Sequence, residues 1–392
     1  MKSEKVVKTA YIGLHLFYMA EVCMVSGFAV LFLTSRGLNN TLSGAAVALA
    51  RLLSIIALTP ISRKLDTNKA LLKMLFPLTA ALLLLFHIAL ALASFSVSIT
   101  FLVFAATSFF SALCSSLTVI LYSDLHYSGY EINYGLSRGL GSFSYTIVSF
   151  FAGKIIAGLT PECIPIISIA VSFGFLCTTA YICSVLDSNR TNTEGSDQAD
   201  EKLFCYIRRR NGFSLLFAGI LLVYVAYISG NSFAINLIQT VGGSAKELGV
   251  YNAMGAMFEV PFMIIFSRIS VKNSQVFLRL SLLLMTIKVL LLALSRNIYW
   301  VYSAAVLQGA SFGLYTPSIV NYIKINTSFD NSAKGQAVAL IASSLGSVFG
   351  MLISGRMLDI LPVRLVLMIM MAVSVIGSVT VWQAMLMISD EA

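Results

Sequence analysis

Twelve apolar segments, each long enough to cross a bilayer as a helix, follow one another along the chain with mostly short polar breaks. Crossing the hydrocarbon core takes about 20 apolar residues per helix. Only helices or closed barrels satisfy their backbone hydrogen bonds in lipid, and these segments lack the strict alternation of barrel strands. The sequence therefore predicts an all-α polytopic membrane protein with twelve transmembrane helices, at 9–33, 41–61, 70–93, 97–121, 131–158, 162–185, 213–237, 246–266, 274–295, 298–322, 333–354 and 363–387.

The charge content and its distribution support a bilayer as the surroundings. Charged residues make up 11% of the chain, against roughly 25% in soluble proteins. The net charge of +9 is spread over short loops, so we expect no nucleic-acid partner. The outer loops carry few basic residues, namely Arg36, Lys246, Arg296, Arg356 and Arg364. Because basic residues favour the cytoplasmic side, both termini are predicted to be cytoplasmic, in a bacterial-type plasma membrane.

The longest polar stretch divides the predicted spans six and six. It predicts an N-terminal half at 1–186, a cytoplasmic linker at 187–212 and a C-terminal half at 213–392. Ser62-Arg63 near the end of the second span matches Ser267-Arg268 near the end of the eighth, which indicates a duplicated unit. Duplicated halves are typical of secondary transporters, whose solute site lies near the middle of the membrane between the halves.

Glu21, Arg51, Arg138 and Glu259 are charged residues that fall inside predicted spans. Each costs about 2.5–3.5 kcal/mol at the centre of a membrane helix unless it is paired or faces water. Two interpretations of Glu21 and Arg51 remain open, a structural ion pair between neighbouring helices or polar groups that bind solute. Tyr18, one turn before Glu21, belongs to the same predicted solute-binding group.

The fifth span carries a stripe of functional side chains. Five residues recur at helical spacing and share one face, namely Glu131, Tyr134, Arg138, Ser142 and Tyr145. A guanidinium group donates paired hydrogen bonds and an aromatic ring stacks on a sugar or base, so the stripe predicts a site for a hydroxylated ligand. Because glycines lie nearby, an alternative is that part of the pattern serves helix packing. A second alternative is that Glu131 lies at the membrane surface and is simply solvated.

The eighth span holds a second polar face, formed by Asn252, Gly255 and Glu259 and followed by Pro261. Glu259 is the first predicted proton-coupling residue and Glu21 the second, because a carboxyl group inside the membrane can take up and release a proton. The alternative is that Glu259 is paired structurally with Lys288 or an arginine. Gln308 in the tenth span is also predicted to bind solute.

Two segments resemble a known family. Residues 134–145 and 256–261 are similar to helices five and eight of the lactose permease-like branch of the major facilitator superfamily, and the latter also resembles bacterial sugar efflux transporters. The resemblance implies that Arg138 binds sugar, that the Tyr145 ring stacks on it, and that Glu259 contacts it.

The resemblance also covers the loop after the second span, where it implies that Arg63 and Asp66 form a gating loop. Two departures reduce the match. Ser62 replaces the usual glycine of that loop, and Ile120 lies near the place of a fourth-helix glutamate.

The predicted function is secondary active transport of a small polar solute, most consistent with a sugar or similar polyhydroxylated compound moved with protons by a symporter. The alternative is a proton-antiport efflux pump for sugars or drugs. No nucleotide-binding, hydrolase or metalloprotease motif occurs, so no enzyme activity is expected. We expect no cofactor and no metal, a lipid bilayer and a small solute as partners, and a monomer.

Overall fold

The structure is a computed structural model that describes residues 4–67, 70–92, 96–185, 211–268, 273–327 and 329–391. Within these residues the secondary structure is helical, without a strand. The helices before the predicted linker are α1 Glu4–Val22, α2 Ala29–Ser35, α3 Asn40–Thr67, α4 Ala70–Leu92, α5 Val97–Tyr127, α6 Tyr134–Gly158 and α7 Ile164–Val185. Those after it are α8 Asn211–Ser232, α9 Ala234–Thr240, α10 Ala245–Arg268, α11 Ser274–Ala293, α12 Ile298–Asn326, α13 Phe329–Leu358 and α14 Val363–Glu391.

The chain divides into two compact units, Met1–Asp197 and Gln198–Ala392. The division falls inside the predicted linker 187–212, most of which lies outside the described residues. The linker and the predicted boundaries at 186 and 213 therefore stay predictions.

Ten helical segments of the described chain are long and apolar enough to cross a membrane. They correspond to ten of the twelve predicted spans. The other two predicted spans, 246–266 and 298–322, form α10 and α12, which have 24 and 29 residues. At about 1.5 Å per residue, both helices exceed the roughly 30 Å thickness of the hydrocarbon core.

The first and seventh predicted spans are each broken, whereas the sequence predicts single helices there. A π-helical turn, Cys23–Gly27, follows α1, and the chain resumes as α2 after Phe28. Phe28 has φ −118° and ψ 9°, and Phe233, between α8 and α9, has φ −102° and ψ 17°. Both rings are almost completely buried. Each unit thus has a buried phenylalanine at the break in its first helical span.

These breaks mark a repeat with an offset of 205 residues, from Phe28 to Phe233 and from Gly37 to Gly242. Each of the two glycines follows its short helix with a positive φ, +85° at Gly37 and +81° at Gly242, which favours glycine. Leu140-Gly-Ser142 and Leu345-Gly-Ser347 recur at the same offset.

The helices pack in the same pattern within each unit. In the first unit α1 packs against α6 and α7, α3 packs against α5, and α4 packs against α5 and α7. In the second unit α8 packs against α13 and α14, α10 against α12, and α11 against α12 and α14. Counting the broken helices α1–α2 and α8–α9 as single spans, these pairs correspond one to one. The two units are therefore built on one helical plan.

Small residues allow close contacts between helices in the second unit. Gly309 and Gly313 form a Gly-x-x-x-Gly pair on α12, and each faces the backbone of α10. A Cβ added at Gly309 would lie 2.7 Å from the carbonyl oxygen of Gly255, and one at Gly313 would lie 2.7 Å from that of Glu259. This contact fixes the distance between two helices that carry predicted site residues.

We expect Gly309→Ala to lower the free energy of unfolding by about 1–3 kcal/mol, because the new methyl group meets backbone atoms of α10 that cannot rotate away. Reversible unfolding of the purified protein in mixed detergent micelles measures the change. Gly158→Ala is the matched control, since a Cβ there has no neighbour within 4 Å in the described structure. Equal stability of the two variants would contradict the close α10–α12 contact.

Candidate functional site

Glu21 is buried in the first unit with two polar partners on other helices. Its side chain is 1% exposed, and its Oε2 atom accepts a hydrogen bond of 2.6 Å from the Ser172 hydroxyl on α7. Its Oε1 atom lies 3.6 Å from Nε2 of His87 on α4, and Ser172 Oγ lies 3.1 Å from His87 Nδ1. The Glu21–Arg51 ion pair left open by the sequence is not formed among the described residues. Glu21, His87 and Ser172 together make a buried acid–base cluster.

An aromatic cluster surrounds His15 on α1, between one and two turns before Glu21. The imidazole ring lies 4.9 Å from the Tyr11 ring, 5.9 Å from the Tyr18 ring and 5.8 Å from the Tyr134 ring, measured between centroids. The Tyr122 ring is 4.7 Å from that of Tyr134. His15 is 3% exposed, and its Nδ1 atom has no hydrogen-bond partner among the described residues.

Arg138 on α6 belongs to the same region. It lies one turn beyond Tyr134, whose ring packs against the His15 ring. The Tyr18 hydroxyl donates a 2.6 Å hydrogen bond to Ser115 Oγ on α5, which fixes the ring. The structure thus brings together three predicted site residues, Tyr18, Tyr134 and Arg138. A half-buried guanidinium group beside fixed aromatic rings offers paired donors and apolar faces to a ligand.

The rest of the α6 stripe is only partly as predicted. Glu131 is exposed and precedes the helix, which begins at Tyr134 with Asn133 as its N-cap. The Asn133 side chain accepts a hydrogen bond from the Leu136 amide and caps the helix, which leaves Glu131 outside it. Placing Glu131 on the helical stripe was therefore wrong. Tyr145 lies two turns beyond Arg138 and is half-buried.

Three further residues with predicted roles in the first unit, Arg51, Arg63 and Asp66, lie on α3. Arg51 is half-buried near the middle of that helix. Arg63 and Asp66 were expected in a loop, but α3 continues past Pro60 to Thr67, so both positions are helical. The gating role of Arg63 and Asp66 stays a prediction, because the contacts that would test it fall outside the described part of the structure.

The second unit contains a polar cluster around Lys288 on α11. Lys288 is fully buried, and its ammonium group donates to Oδ1 of Asn231 on α8 and, at 2.5 Å, to Oε1 of Gln308 on α12. The Lys288 Nζ atom also lies 4.7 Å from the centre of the Tyr227 ring. The Tyr251 hydroxyl on α10 lies 3.3 Å from each of the two amide oxygens. The Glu259–Lys288 pair left open by the sequence is not formed among the described residues.

The predicted face of α10 lies beside this cluster. Asn252 and Glu259 are half-buried and flank Gly255 on that face. A Cβ added at Gly255 would lie 3.6 Å from Nε2 and 3.7 Å from Cδ and Cγ of Gln308, so the Gln308 side chain packs alongside Gly255. Gln308 is thus in contact with the α10 face on which the sequence places two solute-binding residues.

Several residues of both clusters are not among the site residues that the sequence predicts. Lys288 is a charged residue within an apolar span, a signal that by itself indicates a functional position. His15, His87 and Asn231 are polar residues in apolar spans, but their partners lie on helices distant in the sequence. Neither the 85-residue separation of Ser172 from His87 nor the 57-residue separation of Lys288 from Asn231 leaves a local pattern.

The chain matches the MFS_1 like family over residues 9–368. The transporter YwbF of Bacillus subtilis strain 168, described as uncharacterized, is 24% identical over 266 residues, which are 62% of this chain and 60% of that protein. The maltose permease of Geobacillus stearothermophilus is 28% identical over 151 residues, 38% of each chain. The aligned regions thus cover less than two thirds of either relative.

Solved structures share the fold at low sequence identity. The nucleoside transporter NupG has a TM-score of 0.75 and 15% identity, covering 98% of this chain and 99% of that one. An inward-facing bacterial homologue of the lysosomal transporter Spinster has a TM-score of 0.72 and 14% identity over 100% of this chain and 99% of that one. With the family match across nearly the whole length and an all-α polytopic architecture, the chain belongs to the MFS_1 like family and has the major facilitator fold of membrane transporters.

Proposed function

We propose that this transporter is a secondary active transporter that moves a small polyhydroxylated solute, such as a sugar, together with protons in a symport mechanism. The observation that carries the proposal is the position of Arg138 one helical turn beyond Tyr134, whose ring packs, like that of Tyr18, against His15 in the first unit. The solute site alternates in exposure between the two sides of the membrane, without covalent change to the solute.

The chemistry of the grouping supports a hydroxylated ring as the ligand. A guanidinium group donates two parallel hydrogen bonds to neighbouring oxygens, and a tyrosine ring contacts the apolar face of a sugar or a base. The maltose permease of Geobacillus stearothermophilus, a partial relative by sequence, is consistent with this class of solute. Tyr145, Arg51, Asn252, Glu259 and Gln308 complete the proposed set of solute-binding residues.

Proton coupling is assigned to two carboxyl groups. Glu259 is half-buried on α10, and Glu21 is fully buried against His87 and Ser172. A carboxyl group at such a position is costly in its charged form unless partners or a bound proton compensate. Changes in the surroundings of either group during the transport cycle would therefore change its proton occupancy.

The alternative is efflux of sugars or drugs by proton antiport, which the resemblance of α10 to sugar efflux transporters supports. Purified protein in liposomes with an imposed pH gradient separates the two directions, because a symporter accumulates solute on the side towards which protons flow. We further propose a monomer in a bacterial-type plasma membrane with both termini in the cytoplasm.

Arg138→Ala should weaken solute binding by about 100-fold or more, because hydrogen bonds to a charged donor contribute about 1.5–3 kcal/mol each. Binding is measured by the thermal shift of the purified variant with a panel of sugars and nucleosides. Lys154→Ala on the same helix is the control, since Lys154 is exposed and contacts the Phe150 ring at 4.1 Å. Wild-type affinity in the Arg138 variant would contradict the proposed site.

Glu259→Gln and Glu21→Gln should each abolish solute accumulation driven by a pH gradient while solute counterflow continues, because an amide cannot exchange a proton but retains hydrogen bonds. Fluxes into proteoliposomes measure both quantities. Glu162→Gln, at an exposed position of the chain, is the control and should behave as wild type. A variant that still accumulates solute with the pH gradient removes its glutamate from the coupling role.

A further inference from the structure

The hydrogen bonds of the Lys288 cluster determine the orientation of two side-chain amides. Lys288 donates to Oδ1 of Asn231 and to Oε1 of Gln308, and the Tyr251 hydroxyl lies at hydrogen-bond distance from both oxygens. An ammonium group has three donors and no acceptor, so it can meet only the oxygen of a side-chain amide. The orientation of both amides is therefore fixed by chemistry, with their oxygens turned towards Lys288.

Fixing the oxygens also fixes the amide nitrogens. Each amide carries two N–H donors on the side opposite its oxygen. Within the described part of the chain, the nitrogens of Asn231 and Gln308 donate to no protein group, and both side chains are only partly buried. The cluster thus presents a set of oriented donors that lack an acceptor from the described protein.

The Gln308 side chain packs alongside Gly255 of α10. A Cβ added at Gly255 would sit at ordinary van der Waals distance, 3.6 Å from Nε2 of Gln308. Asn252 and Glu259 flank that glycine on the same face of α10. The amide nitrogen of Gln308 therefore lies next to the α10 face that carries these two predicted solute-binding residues.

We propose that Asn231 and Gln308 form a solute subsite for acceptor oxygens, and that Lys288 and Tyr251 are positioning residues that orient its two amides. The inference rests on the proposed transport function and adds to it the chemistry of the second unit. The ligand is a hydroxylated solute whose hydroxyl, ether or carbonyl oxygens accept hydrogen bonds from the amide nitrogens.

Gln308→Glu separates this role from a structural one. The carboxylate keeps an oxygen for Lys288 and Tyr251 and adds an ion pair, so the thermal stability of the protein should be equal to or higher than that of the wild type. The same change removes the N–H donors, so solute affinity should fall about tenfold or more. A role in packing alone predicts wild-type affinity.

Lys288→Met tests the positioning role. Methionine has a similar length and no charge to bury, so stability should not fall, whereas the freed amides should rotate and weaken solute binding by about tenfold. Thr286→Val is the matched control on α11, because the Thr286 hydroxyl bonds to Ser374 on α14, at 2.8 Å, instead of to the amides of the cluster. It should leave the affinity unchanged.

The experiment uses the purified full chain in detergent, with maltose and uridine as probes, and records melting temperature without probe and probe affinity for each variant. The proposal is supported if either probe binds the wild type and loses affinity in Gln308→Glu and Lys288→Met at preserved stability. It is overturned if affinity is unchanged in these variants, if affinity falls only together with stability, or if neither probe binds the wild type. The transport function is judged separately, by counterflow in liposomes with the wider solute panel.

Discussion

The cost of a polar or charged group inside the bilayer organises this protein more than any other constraint. Such a group is tolerated only where other helices supply partners, so each buried charge gathers side chains from several spans. Glu21 is held by α4 and α7, and Lys288 by α8 and α12 with α10 close by. Together with the close glycine contacts between helices, these hydrogen bonds determine which faces of the helices meet in each unit.

The two clusters occupy related positions in the repeated plan. His87 lies on α4 and Lys288 on α11, helices that make equivalent contacts within their units. Each unit therefore buries one basic residue from its third span against polar groups of its first. The chemistry differs, since the first unit pairs imidazole with carboxylate, whereas the second surrounds an ammonium group with amide oxygens and an aromatic ring. This difference suits a proton-exchanging group in one unit and an oriented set of amide donors in the other.

The fold was largely predictable from the sequence, because hydropathy determines where helices cross a membrane. The exceptions have local physical causes, such as the breaks at Phe28 and Phe233, where buried rings hold non-helical residues, and the helical continuation of α3 to Thr67. The repeat was detectable as well, although its 205-residue offset is clearest at the two broken helices.

Site residues that share one helix, such as Tyr134 and Arg138, follow from periodicity. Partners on helices that are distant in the sequence, such as Ser172 for Glu21 or Asn231 for Lys288, do not follow from periodicity. They come together only when the unit folds.

The proposed transporter moves a hydroxylated solute together with protons. The decisive measurement is uptake of maltose, uridine and a panel of other sugars by the purified protein in liposomes, with and without an imposed pH gradient. The symport mechanism predicts that at least one hydroxylated solute accumulates against its concentration gradient when protons flow in the same direction, and that dissipating the gradient stops accumulation. Accumulation that requires proton flow in the opposite direction, or transport that is indifferent to the pH gradient, would contradict it.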